Sequence, residues 1–508
     1  MSLTILTVLP SFAQSTDLEY RQTEVKEQDE KLVVRGSIES EWHEFDNLDL
    51  RLLDESSDQS ILDTDDRSGF AFTGGFVELS YQADKRTRMV VAAAHRGLWG
   101  NDQIGAVNEF GGWLYFTGLY MEHRNTLGGL QPTARVGRQF YQIGGLSGGT
   151  EYVLADVLDM VLLEVPLSER ASLELMPISI AGNASAYDNA NFVSFLGQSD
   201  TTIYGFRGDN RTTRYGGLLK LRPAKGLALR AYGYYTDVGA LGTGSDISYN
   251  GTLANFVDND WVANYGVRGS YKSGTFRVFG SLDLSSGIDR KELVARDADT
   301  DGLAITAGMR LVPEDAGMFG RLEFFQASGP VYDQDGLMSS HGYVGMKARQ
   351  IGGTITDRFM GWHPSAYVGM FGVTDSPHDI SRITGTRSIH GRAGYDSGKW
   401  RASAAWWTMW DTATTFLALA ELDDITPPEG YSREEFAAQE RAGLMLGHEV
   451  NIDLKYSLSK KTRLYGNAGI FLPGSYYDIE VARVAGDQLG YDGSAQIWAA
   501  HVGTEVSF

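Results

Sequence analysis

The stretch IWAAHVGTEVSF, Ile497 to Phe508, decides the fold class, because its side chains alternate in character from one residue to the next. One set consists of Trp498, Ala500, Val502, Thr504, Val506 and Phe508, and the other of Ala499, His501, Gly503, Glu505 and Ser507. Successive side chains of a strand point to opposite faces. The period of two therefore predicts a β-strand with one apolar and one mixed face.

The same alternation recurs elsewhere in the chain, both shortly before this stretch and near the other end. Val450, Ile452, Leu454 and Tyr456 alternate with Glu449, Asn451, Asp453 and Lys455. Val34, Ile38 and Trp42 share one face near the other end, opposite Arg35, Ser37, Glu39, Glu41 and His43. Strands of this kind with turn residues between them indicate an all-β protein.

The domain organisation follows from this alternation, which recurs along most of the chain. Length alone would predict roughly three soluble domains, but residues 31–508 show one continuous pattern and are expected to form one barrel. Residues 1–13 resemble a signal peptide, with the apolar core Leu3–Leu9 and a small-x-small cleavage site at Ser11–Ala13. Residues 14–30 are then a short periplasmic tail.

Composition excludes several classes of function. The formal net charge of −21 argues against a nucleic-acid partner, which requires a basic footprint. The absence of cysteine excludes disulfides, cysteine-ligated zinc, iron–sulfur clusters and covalent haem attachment. No cofactor is expected.

A membrane location is predicted from the way in which the backbone hydrogen-bonding groups could be paired in lipid. No run approaches the about 18 apolar residues of a spanning helix, so only a closed barrel could pair every backbone group in lipid. Aromatic residues gather near strand ends, as the interfacial girdles of such barrels require. They are Trp42, Trp99, Trp113, Trp400, Trp410, Tyr456 and Trp498.

Short turns alternate with long polar loops, which is typical of bacterial outer-membrane barrels. Short turns are expected at 83–86, 223–225, 272–274, 397–399 and 459–461. We predict a transmembrane antiparallel β-barrel of about 18 strands, within a range of roughly 16 to 20. Its partners would be outer-membrane lipid, lipopolysaccharide and the barrel-assembly machinery. The loop 412–446 is expected to hold a short helix, with Ser432 and Glu435 as a capping box.

The faces opposite the apolar ones would line the pore, and they are rich in arginine. Candidate pore-lining residues from this alternation are Arg35, Arg88, Arg96, Arg230, Arg268, Arg277, Arg321, Arg349, Arg392, Glu449 and Arg463. Guanidinium groups hold carboxylates in bidentate fashion, and conduction requires sites weak enough to release the solute. The alternative is that inward arginines and acids pair across strands and stiffen the wall.

Two motifs point to other chemistry. Asp297, Asp299 and Asp301 match the first half of an EF-hand loop, but Gly308 replaces the bidentate Glu, so a solvated acidic loop competes with a Ca2+ site. The G-x-S-x-G sequence around Ser147 lacks the following helix of a nucleophile elbow. No enzymatic activity is expected.

Three segments carry a resemblance to a known family. Arg135–Gln139 is similar to an F-G-R-Q strand, and Gly447–Ile452 is similar to a G-Q-E-L-D-L strand with Asn451 in place of Asp. Arg463–Gly474 is similar to an R-F-R-G-G-L-F-K-P-G strand and turn. The chain thus resembles the alginate-export family of outer-membrane porins, over its C-terminal part and a patch near residue 135.

The resemblance implies a barrel with an arginine-lined constriction that passes an anionic polysaccharide such as alginate outward, with help from periplasmic export partners. Our main hypothesis is a pore for such a polysaccharide or for related small anionic solutes. It also implies that Arg138, Glu449 and Arg463 are pore residues. Three alternatives remain open: a general or substrate-specific diffusion porin, a barrel sheath around a partner such as a cytochrome, and an outer-membrane hydrolase using Ser147.

Overall fold

The computed structural model describes residues 32–46, 67–99, 113–126, 129–144, 153–181, 212–238, 260–289, 298–313, 316–329, 331–332, 338–340, 342–345, 385–411, 444–474 and 496–508. These ranges form one sheet of 21 strands. In chain order the strands are β1 (Leu32–Asp46), β2 (Arg67–Gln82), β3 (Thr87–Trp99), β4 (Trp113–Arg124), β5 (Thr133–Gln142), β6 (Ala155–Ser168), β7 (Ala171–Ala181), β8 (Thr212–Ala224), β9 (Leu227–Val238), β10 (Asp260–Ser273), β11 (Phe276–Asp289), β12 (Ala298–Asp299), β13 (Gly302–Leu311), β14 (Gly317–Ala327), β15 (Val331–Tyr332), β16 (Met338–Ser340), β17 (Thr386–Asp396), β18 (Trp400–Asp411), β19 (Leu444–Ser457), β20 (Thr462–Pro473) and β21 (Ile497–Ser507).

The sheet closes on itself, because β1 pairs antiparallel with both β2 and β21. Three short strands, β12, β15 and β16, belong to the connections after β11 and β14. The other eighteen each pair antiparallel with two neighbours, with β13 following β11 and β17 following β14 around the wall. The predicted 18-stranded antiparallel barrel is confirmed.

The two faces of each strand differ as a membrane barrel requires. On β1, Val34, Ile38 and Trp42 are each about half exposed (49%, 57% and 53%), whereas Glu39 and Glu41 are buried (5% and 3%). A barrel in water would show the reverse pattern. The apolar side chains point outward to lipid and the polar ones to the interior, so the chain is an outer-membrane barrel.

The five short turns predicted from the sequence join consecutive strands at one end of the barrel. In the turn after β2, the Asp84 carboxylate accepts hydrogen bonds from the backbone N–H groups of Arg86 (2.7 Å) and Thr87 (2.9 Å). These bonds, the one from Arg86 foremost, hold the pKa of Asp84 below its ordinary value. By position in the fold this is the periplasmic end.

The exterior carries aromatic residues at that end and at the opposite one. Trp400, at the start of β18, lies 4.2 Å from Tyr456 between ring centroids, and Lys399 lies over the Tyr456 ring. Trp42 is exposed toward the other end of β1. This is the arrangement of interfacial girdles.

The seam between β1 and β21 is completed by Phe508. Its backbone exchanges two hydrogen bonds with Gly36, of 2.9 and 3.2 Å. A Cβ on Gly36 would collide with the Phe508 ring. Gly36 therefore leaves space for the Phe508 ring at the outer wall.

No helix in the described part of the chain is long and apolar enough to cross a membrane. The helix predicted within 412–446 lies outside the described residues, except that 444–446 belong to β19. The predicted boundaries at residues 13 and 30 also lie outside them and stay predictions.

Candidate functional site

The interior wall carries an inward basic side chain on every one of ten consecutive barrel strands. From β8 to β20 they are Lys220, Arg230, Arg268, Arg277, Arg310, Arg321, Arg392, Arg401, Lys455 and Arg463. We call this set the basic belt. It covers more than half of the circumference, so any solute in the lumen passes close to cationic groups.

The centre of the belt is a row of four arginines in register. Arg277 is opposite Arg310, Arg310 is opposite Arg321, and Arg321 is opposite Arg392. Side chains directly opposite on adjacent strands have Cβ atoms about 4.5–5.5 Å apart, and like charges in such pairs are destabilising. This arginine row therefore opposes stability in the absence of counter-charges.

Acidic residues offset part of that charge. An Asp453 carboxylate oxygen accepts a hydrogen bond from Arg392 (2.9 Å), and Glu323 contacts Arg321. Arg321 also lies 5.9 Å from the centroid of the Phe279 ring. The row itself contains four cations and no acid, so it favours anions in the water beside it.

A second row, Lys220, Arg230 and Arg268, extends the belt across β8 to β10 in direct register. Lys220 contacts Glu174, and Arg268 lies 3.2 Å from Asp283. Asp283 also accepts a hydrogen bond from the Tyr232 hydroxyl. Here the cations are held in cross-strand networks that fix their positions.

The seam strands carry the opposite charge. Glu39 on β1 is directly opposite Glu505 on β21, and Arg463 donates to Glu505 from Nε (2.9 Å). Glu41 contacts His43 (2.7 Å), which stacks on His501 with ring centroids 5.3 Å apart. The basic belt thus borders an acidic strip on β21 and β1.

One connection descends onto the inner wall. Arg230 of β9 donates from Nη1 to the carbonyl of Gly144 (2.5 Å), just beyond the end of β5. Ile143 pairs with Leu154 across the connection, and Tyr141 bonds to Tyr234 of β9 (2.6 Å). Strands β5 and β9 are four apart around the wall, so these contacts draw the start and end of the 143–154 connection into the lumen.

A second segment, residues 342–345, is anchored in the interior. Asn264 of β10 donates to the Val344 carbonyl (2.6 Å), and Ser285 of β11 accepts from the Val344 N–H (3.1 Å). Tyr343, which precedes Val344, is fully buried. The described parts of two connections therefore lie inside the barrel.

The inner wall near the 143–154 connection is apolar, unlike the remainder of the described inner wall. Leu158, Met160 and Leu162 of β6 and Leu218 of β8 are buried on inward positions. The sequence pattern predicted polar side chains on the inner face. Ile143, Val153 and Leu154, at the described ends of the 143–154 connection, are buried as well, and removing such apolar surface from water is favourable.

Most predicted pore residues lie on inward faces in the structure. They are Arg35, Arg88, Arg230, Arg268, Arg277, Arg321, Arg392, Glu449 and Arg463. Arg88 donates to Glu122 (3.0 Å), which Arg135 and Arg124 also contact. Their role in contacting a solute stays a prediction.

Arg138 is placed differently. It stands opposite Leu119 of β4, which is exposed on the outer face, and pairs with Asp159 of β6. Position 138 has the same parity as the exposed Val136, so its side chain points outward. The interpretation of Arg138 as a pore residue came from the motif resemblance and is not supported by this placement.

Several predicted residues lie outside the described residues. They are Arg349, Asp297, Ser147 and the side chain of Arg96. Asp299 and Asp301 are described, at β12 and just after it, and no group that could hold a metal ion occurs among the described residues.

Sequence reasoning missed Arg310 and Arg401. In β13, Ala304, Thr306, Gly308 and Arg310 alternate with larger apolar residues, so the period of two could have placed Arg310 inward. In β18 both faces are rich in Ala and Trp, and no pattern marks Arg401.

Solved structures that are similar in fold to this chain include the following three. These are OccK11 (OpdR) of Pseudomonas aeruginosa (12% identity, TM-score 0.42, 94% of this chain and 96% of that one), OccAB4 of Acinetobacter baumannii (9%, 0.47, 95% and 99%) and OprD of Pseudomonas aeruginosa (10%, 0.45, 94% and 94%). No protein-family model and no curated protein sequence matches the chain. The resemblance to alginate exporters is therefore not supported. The barrel fold is established by the strand pairing in the structure itself.

Proposed function

We propose that this barrel is a diffusion porin selective for small anionic solutes. The observation that carries the proposal is the basic belt, with one inward cation on each of ten consecutive strands. A strand register that places like charges opposite one another costs stability, which favours a role in the lumen over stiffening of the wall.

The belt suits passage better than tight binding. Neighbouring members of the arginine row, whose Cβ atoms are about 5 Å apart, offer an anion successive partners. Asp453 weakens the hold of one of them, because it pairs with Arg392. Conduction requires sites favourable enough to enter and weak enough to leave. A small carboxylate or phosphate can move from one guanidinium group to the next.

The two inward-folded connections favour small solutes over a polymer. Their described parts lie inside the barrel, where residues 143–144 contact β9 and residues 342–345 contact β10 and β11. Export of an anionic polysaccharide, with periplasmic partners, remains the alternative that the same cations would serve. Nothing in the part of the chain that the structure describes favours the alternative of a barrel that sheathes a cytochrome.

The test is the reversal potential of single channels in a planar bilayer under a KCl gradient. We expect an anion-selective channel. Replacing two members of the arginine row, Arg310→Gln with Arg321→Gln, should lower the chloride-to-potassium permeability ratio about threefold or more, because each charge contributes roughly 0.5–1 kcal/mol at lumen distances.

Lys85→Gln, in an exposed periplasmic turn, is the matched control and should leave the ratio unchanged. A cation-selective wild-type channel would overturn the proposal. A graded series of oligouronates separates the alternatives: current blocked only by long chains would favour polysaccharide export, and passage limited to short acids would favour the porin.

A further inference from the structure

A bidentate ion pair lies on the outside of the barrel. Arg138 of β5 donates to Asp159 of β6 from Nε (3.0 Å) and from Nη2 (2.7 Å). The two side chains are 44% and 45% exposed. Neither contributes to the lumen.

The pair is surrounded by surface that faces lipid. The hydrogen-bonded row through Arg138 continues into four exposed apolar residues, Leu119, Val91, Leu79 and Val34. Arg138 is the sixth of the ten residues of β5, and Asp159 is the fifth of the fourteen residues of β6, so the pair lies within the strands and not in a turn. Charged groups on the lipid face of a barrel are unfavourable, and more so with increasing depth.

Pairing removes the net charge but leaves polar edges exposed to hydrocarbon. Such a surface would be stabilised by a polar partner that shields these edges from hydrocarbon. An anionic lipid headgroup fits poorly, because Asp159 would repel it. A partner that supplies both a carboxylate and a guanidinium fits both members of the pair.

The geometry points to a second copy of this chain. Arg138 and Asp159 are direct cross-strand partners, so they lie side by side around the wall. A two-fold axis along the membrane normal reverses that lateral order. Arg138 of each copy then faces Asp159 of the other, and the four charges form a closed ring.

The surrounding surface supplies no alternative driving force. Apolar side chains gain nothing by leaving lipid for one another, so association of membrane segments depends on packing and polar contacts. We therefore propose a dimer about the β5–β6 seam that depends on this ion pair. The proposal is independent of the proposed porin function.

Cysteine cross-linking tests it in lipid vesicles, because the chain has no native cysteine. Val136→Cys is exposed two positions from Arg138, and Leu322→Cys is exposed on β14, on the far side of the barrel. With a short bifunctional maleimide, we expect cross-linked dimer from Val136→Cys at about tenfold or more over Leu322→Cys.

Charge variants identify the cause. Arg138→Leu with Asp159→Leu, added to Val136→Cys, should lower the cross-linked dimer about tenfold while barrel folding, followed by heat-modifiable gel mobility, is retained. The swap Arg138→Asp with Asp159→Arg should restore the dimer, since the ring is still complementary. Mixed wild-type and swapped chains should not cross-link with each other.

Equal cross-linking at positions 136 and 322, or a dimer unaffected by the double leucine change, would overturn the proposal. Native mass spectrometry of the purified protein adds a further outcome. A monomer that retains a phosphate-bearing lipid, lost on the double change, would assign the pair to a lipid and refute the dimer.

Discussion

At the scale of single residues, charge placement near the periplasmic end depends on one buried acid. Glu122 contacts Arg88 (3.0 Å), Arg135 (2.8 Å) and Arg124 (3.4 Å) and is itself almost fully buried. Removing the acid from such a cluster leaves three cations without their shared counter-charge. The cost of breaking a buried pair exceeds the value of the pair itself.

We therefore expect Glu122→Gln to lower the free energy of unfolding by about 2–4 kcal/mol. Urea titration in lipid vesicles measures it. Glu169→Gln, at an exposed position between β6 and β7, should change stability by less than about 0.5 kcal/mol. Equal effects at the two positions would mean that the cluster does not stabilise the barrel.

The seam offers a second residue-scale prediction. Gly36→Ala places a methyl group against the Phe508 ring and should destabilise the barrel by about 1–3 kcal/mol through overpacking. Gly233→Ala is the matched control, because a Cβ there would meet nothing within 4 Å. Heat-modifiable gel mobility and urea titration compare the two, and indistinguishable variants would contradict the packing account.

Residue-level prediction succeeded where alternation was followed. The period of two placed Arg268, Arg277 and Arg463 on inward faces. It would also have placed Arg138 outward, with Val136 and Phe140, but the short motif resemblance took precedence there. A motif of four residues carries little information about which face of a strand it occupies.

At the scale of elements, the connection after β5 is held against the inner wall at its described start. The carbonyls of Ile143 and Gly144 both accept hydrogen bonds from Arg230 there. Replacing Arg230 leaves two carbonyls without their charged donor, at a cost of about 1–3 kcal/mol. The connection should then leave the wall more often.

Arg230→Gln should therefore give a higher or more variable single-channel conductance than wild type. Arg222→Gln, an exposed position at the periplasmic end of β8, makes the same charge change without touching the connection. If both variants have identical conductance, the anchoring role of Arg230 is wrong.

Strands and short turns were predictable from sequence, because both depend on neighbouring residues. Alternation indicates a strand, and polar clusters such as Ser397-Gly398-Lys399 indicate a turn. The inward-folded connections were not predictable. The Arg230–Gly144 contact joins residues 86 apart in sequence, and no local pattern announces it.

At the scale of the whole molecule, the net charge of the chain and the charge of the basic belt have opposite signs. The chain is acidic overall, at −21, yet the described lumen wall carries the basic belt. Composition predicted no basic surface. The belt appears only when strand register aligns Arg277, Arg310, Arg321 and Arg392, and register is fixed by the closed sheet.

The central claim is that one face of each strand touches hydrocarbon and the other touches water. Single-cysteine variants at adjacent positions of β20 test it: Arg463→Cys faces inward, and Leu464→Cys is exposed outward. In vesicles, a charged, membrane-impermeant thiol reagent should modify position 463, while a fluorophore at 464 should be quenched by brominated lipid. Quenching at 463 with reagent access at 464 would contradict the account.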